Sequence, residues 1–251
     1  MYPRKIYHIF VLLGVSILLI EILMLIIGLC NEQEWFQSSV TATFFLIGLP
    51  IFVVHSLVWW RNRKYDFNHL TVSKANMPII LLLISILLLV EVLEVLCMGF
   101  SVQHPYLYGS WKEILSMVVL GPVFEEWIFR GIYLKGLLTS GQCRKWVAVA
   151  FVSILFGIIH FDLARGLTWN NVMQVLYASV IGVALSIVYM KFGCLILNIL
   201  YHMLINGTGI ALSLGLSSCE PLSWSVTIGF VLYVLTIPVL YFALRRLWFL
   251  S

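Results

Sequence analysis

The stretch Val118-Val119-Leu120-Gly121-Pro122-Val123-Phe124-Glu125-Glu126-Trp127-Ile128-Phe129-Arg130-Gly131-Ile132-Tyr133-Leu134 sets three charges inside an otherwise apolar run. A charged side chain at the centre of a membrane helix costs roughly 2.5 to 3.5 kcal/mol on insertion scales. Three would cost about 8 to 10 kcal/mol before pairing, the size of a whole domain's net stability. A chain carries such a group only where something offsets it, and the first expectation is a functional site.

The surrounding chain supports reading this stretch as membrane-embedded. Of 251 residues, 62% are hydrophobic and 10% charged, against about 25% charged in soluble domains. Apolar windows near the roughly 20-residue span of a bilayer core fall at 7–30, 38–60, 77–100, 111–137, 145–162, 171–192, 193–212 and 222–245. The alternation that a membrane barrel requires is absent. The expected fold is all-α, a polytopic transmembrane bundle of about eight helices. Its working part is expected at 111–212 (helices four to seven), with 1–110 as a scaffold or gate of three helices and 213–251 as the eighth.

Charge placement gives the orientation. Arg4, Lys5, Arg61, Arg63, Lys64, Lys74, Lys135, Arg144, Lys145, Lys191, Arg245 and Arg246 fall on one side of that arrangement. Basic loops remain cytoplasmic, so both termini are expected there, in a multi-pass protein of the cell membrane. Trp35, Trp59, Trp60, Trp111, Trp146, Trp169, Trp224 and Trp248 lie near expected helix ends, as an interfacial aromatic belt should. The net charge of +4 is then a matter of topology, and no nucleic-acid partner is expected. The first apolar run reads as a membrane helix and not as a cleavable signal. The cysteines Cys30, Cys97, Cys143, Cys194 and Cys219 have no CxxC spacing and read as packing residues.

Helical geometry separates the two glutamates. Glu126 and Arg130 stand at i, i+4 on one face, whereas Glu125 is turned by about 100°. The expected arrangement is a Glu126–Arg130 pair with Glu125 left to hold a water. Two apolar stretches further on carry more polar groups: His160 closes Phe156-Gly157-Ile158-Ile159-His160, and His202 opens His202-Met203-Leu204-Ile205-Asn206. A carboxylate, two imidazoles and an amide supply a general base, a water-orienting group and hydrogen-bond donors, the parts needed to hydrolyse an amide. Each also has a structural reading: a buried ion pair or ion relay for Glu126 and Arg130, a packing residue for His160. His8 and His55 are expected at the interface, and Glu21, Glu91 and Glu94 in helices one and three.

Taken in order, EExxxR at 125–130, FxxxH at 156–160 and HxxxN at 202–206 resemble the CPBP family, the CAAX proteases and bacteriocin-processing enzymes also called Abi. Every motif position matches, over about 111–212. The resemblance implies an intramembrane endopeptidase with an eight-helix core and a cytoplasm-facing catalytic cavity. It implies Glu125 as the base that activates water, assisted by His160, with His202 and Asn206 stabilising the oxyanion. Glu126, Arg130 and Phe156 would be structural or substrate-positioning. The implied partners are a peptide or membrane-protein substrate and the lipid bilayer.

No cofactor is expected. The alternative, Zn²⁺ on Glu125, His160 and His202, forms a three-ligand set, but HExxH is absent and Asn206 suits an oxyanion better than Zn²⁺. Two other functions compete: a non-catalytic bacteriocin-immunity or scaffold protein using the same cluster for packing or peptide binding, and a proton-coupled transporter. The latter would be expected to show internal repeats, which the chain lacks.

Overall fold

The computed structural model describes residues 6–29, 48–61, 111–161 and 166–216. Among these the secondary structure is helical: α1 (Ile6–Leu29), α2 (Leu49–Arg61), a continuous helix α3 over 111–139, α4 (Lys145–Ile158), α5 (Trp169–Phe192) and α6 (Leu195–Leu216). The expected helices at 77–100 and 222–245, with Glu91 and Glu94, lie outside the described residues, as do the side chains of His8 and Glu21. Asn171–Phe192 is the one described helix long and apolar enough to cross a membrane. Ile9–Leu19, Lys145–Ile158 and Leu195–Ala211 are shorter apolar helices.

The chain divides into two compact units. In the first, α1 and α2 pack with α3. Ile9, Leu12 and Ser16 are the buried stripe of α1, at the i, i+3, i+7 spacing of a single helix face. Its outward positions, Phe10, Val11 and Leu18, are also apolar. A helix apolar on all sides suits a lipid surround or a deep core rather than a water-facing surface.

Helix α3 is not a regular α-helix. Ser116–Leu120 and Trp127–Leu134 are π-helical, with the α-helical Gly121–Glu126 between them. Pro122 accounts for part of this, since it has no N–H to donate and its ring crowds the carbonyl four residues earlier. Immediately before it, the Gly121 N–H reaches Ser116 O, five residues back. Such π segments are rare and concentrate at functional sites. Here they flank the two glutamates.

In the second unit α5 and α6 follow one another through Gly193 and Cys194. Gly193 adopts the left-handed conformation (φ 63°), and its N–H bonds to Tyr189 O at 2.8 Å, closing α5. Helices α4 and α5 approach almost to backbone contact. A Cβ added at Gly157 would overlap Ser179 Oγ and lie 2.6 Å from Val175 O, and one at Gly182 would lie 3.0 Å from Ser153 Cα. Small residues permit this approach between membrane helices. Gly157→Ala is expected to lose about 1 to 3 kcal/mol or more, because the clash at Val175 is with backbone that cannot swing away. Thermal unfolding in detergent checks it, and an unchanged melting temperature would contradict the packing described.

Candidate active site

In the first unit the expected pairing is present. Arg130 Nη1 donates to Glu126 Oε1 at 2.6 Å, one helical turn apart, and both side chains are fully buried. Glu125 is only half-buried, and both carboxylates attract the guanidinium. The aromatic neighbours of the glutamate pair are held from α2: the Phe52 ring lies 4.4 Å from that of Phe124 and 5.9 Å from that of Trp127.

One turn beyond Arg130 the structure departs from expectation. His55 is not interfacial; it is fully buried in mid-α2. Its Nδ1 lies 2.7 Å from Ile51 O and its Nε2 3.1 Å from the Tyr133 hydroxyl. An imidazole buried in an apolar stretch is tolerated when both nitrogens find partners, and these two atoms provide them. Ser16 of α1 completes the cluster, its Oγ 3.5 Å from both His55 Nε2 and the Tyr133 hydroxyl while donating to Leu12 O at 2.9 Å.

The second unit holds the remaining motif residues. Phe156 is buried and touches both motif histidines, its ring 4.8 Å from that of His160 and 5.7 Å from that of His202. The FxxxH spacing thus has a physical reason, an aromatic wall shared by two imidazoles. His160 lies in the turn just past the end of α4, and its Nδ1 bonds to Phe156 O at 2.7 Å. A carbonyl only accepts, so Nδ1 carries the proton and Nε2 bears the lone pair of the neutral ring. That tautomer can accept a proton from a water at Nε2.

His202 is buried and Asn206 half-buried, one turn apart on α6. A third polar residue continues the ladder: Asn198 is fully buried, and its Nδ2 donates to Leu185 O at 2.8 Å, tying α6 to α5. The sequence carried a signal for it, since 198, 202 and 206 recur every four residues. Within neither unit are three His, Cys, Asp or Glu side chains grouped to hold a metal ion, among the described residues. Asn206 adds an amide, which is not among the usual Zn²⁺ ligands.

Residues 107–208 match the family model described as type II CAAX prenyl endopeptidase Rce1-like. The matched segment contains all three motifs, and the family that the model describes is one of peptidases. No curated protein and no solved structure matches the chain.

Proposed function

We propose that the protein is an intramembrane endopeptidase of the CAAX-protease and bacteriocin-processing type. It is a bundle of about eight transmembrane helices with both termini in the cytoplasm. Residues 111–212 form its catalytic core, 1–110 a scaffold or gate, and 213–251 a last helix. The observation that carries this reading is the reach of the family match: Glu125, Glu126, Arg130, Phe156, His160, His202 and Asn206 all lie inside 107–208.

In the proposed reaction the Glu125 carboxylate takes a proton from a water that His160 Nε2 orients. The hydroxide adds to the scissile carbonyl carbon, and the oxygen that gains the negative charge accepts hydrogen bonds from His202 and Asn206. Collapse of the tetrahedral intermediate breaks the C–N bond. The proton held by Glu125 passes to the leaving amine, so the carboxylate is regenerated and one water is consumed. Glu126 and Arg130 hold the helix that presents Glu125, and Phe156 holds the two imidazoles.

The family description names a prenyl CAAX endopeptidase, so a peptide ending in a prenylated cysteine motif is the first substrate to test. Purified protein in liposomes is offered a panel of quenched peptides that includes such a tail. Turnover proportional to protein supports a peptidase. Binding without cleavage of any peptide would instead favour the immunity or scaffold function. The hydrolysis proposed needs no metal, so o-phenanthroline or EDTA is expected to leave the rate unchanged. Loss of activity on chelation, restored by Zn²⁺, would contradict that.

A further inference from the structure

The cluster of Ser16, His55 and Tyr133 plays no part in the reaction just described, yet it is buried, polar and joined to the motif helix. Three helices contribute to it, all in the first unit. The Ile51 carbonyl can only accept, so His55 Nδ1 carries the ring proton, and in the neutral ring Nε2 accepts from the Tyr133 hydroxyl at 3.1 Å. The two rings meet edge-on with centroids 5.5 Å apart, and Phe129 also packs edge-on against Tyr133, with centroids 5.9 Å apart. Apolar side chains could fill this space without any polar group to satisfy. A fully partnered buried network instead admits few alternative packings.

Its position makes it more than a helix contact. Glu126, Arg130 and Tyr133 all belong to α3, and all three are buried. Tyr133 belongs to the π-helical segment Trp127–Leu134, and at its end the Lys135 N–H bonds to Arg130 O, five residues back. An α-helical register over the same residues would pair N–H groups with carbonyls four residues back. A slip from one register to the other rotates everything before it about the helix axis, Glu125 included. Tyr133, tied to His55 on a neighbouring helix, opposes that slip.

We propose that His55 and Tyr133 are positioning residues: their hydrogen bond fixes the register of the π-helical turn in α3 and thereby the aim of the Glu125 carboxylate. The proposal rests on Glu125 being the base. A carboxylate misdirected by about 1 Å costs on the order of 100-fold in rate. The signature is a fall in kcat with little change in KM, since the substrate's own contacts are untouched.

The test compares wild type, Tyr133→Phe, His55→Leu, His55→Gln and Glu125→Gln, each as the full chain in liposomes, on a quenched peptide that the wild type cleaves. Tyr133→Phe removes a single hydroxyl. It is expected to lower kcat by about 10- to 100-fold with KM nearly unchanged, at a temperature where it is folded. His55→Leu is expected to match it. His55→Gln, whose side-chain carbonyl can accept from the same hydroxyl, should recover most of the loss. Wild-type kcat in Tyr133→Phe and His55→Leu, with only their melting temperatures lowered, would make the cluster structural and overturn the proposal. Equal loss in His55→Gln and His55→Leu would also overturn it, because the hydrogen bond would not be the cause. Full turnover in Glu125→Gln marks a different failure, that of the base itself, and the positioning claim falls with it.

Discussion

Glu125→Gln is expected to lower kcat by about 10²- to 10⁴-fold, the range a positioned general base contributes, while the protein stays folded. Glutamine keeps the shape and hydrogen-bonding capacity of the side chain but cannot accept the proton of the attacking water. The fold should survive because Glu126, not Glu125, makes the 2.6 Å bond to the buried Arg130. Glu125 is half-buried, where Glu126 is fully buried. KM should stay near wild type, since what is lost acts in the transition state and not in binding. Rate and melting temperature measured together separate this from simple unfolding. Undiminished turnover would remove Glu125 from the chemistry.

The opposite pattern is expected at Arg130. Arg130→Ala leaves Glu126 buried without the guanidinium, and breaking such a pair costs about 3 to 5 kcal/mol. Against a typical net stability of about 5 to 15 kcal/mol, that is a large share, and the melting temperature and the yield of folded protein in detergent should fall. Arg130→Lys is not expected to rescue it, because a flexible ammonium lacks the planar guanidinium geometry. Replacing both partners, Glu126→Leu with Arg130→Leu, should recover much of the fold, since a buried ion pair exchanged for apolar side chains is often near neutral. Size-exclusion profiles and thermal unfolding of the three variants check this. A well-folded Arg130→Ala would show that the pair is not structural.

The Glu126–Arg130 pair was legible in the sequence because helical spacing predicts it. Glu126 and Arg130 fall one turn apart and Glu125 does not. Helices α3 to α6 were legible from the apolar windows at 111–137, 145–162, 171–192 and 193–212. What escaped notice depends on neighbours distant in the chain. His55 stands alone in an apolar run, and its partner Tyr133 is 78 positions away, so nothing local distinguishes it from an interfacial histidine. The π-helical turns of α3 are invisible to a search for 3.6-residue periodicity; Pro122 was the local hint. No local spacing marks Gly157 and Ser179 as the place where α4 and α5 meet. Phe156 was identified only through the family motif, and its physical role, a ring against both His160 and His202, needed the fold.

The central claim of the proposed mechanism is that Glu125 and His160 act in one chemical step. The most direct test is a double-mutant comparison of kcat for Glu125→Gln, His160→Ala and the pair combined, on a peptide that the wild type cleaves. Groups that act as a unit are strongly non-additive, so the double variant should be no slower than the slower single one. If the two losses multiply, each residue contributes independently, and the shared activation of one water by Glu125 and His160 is wrong.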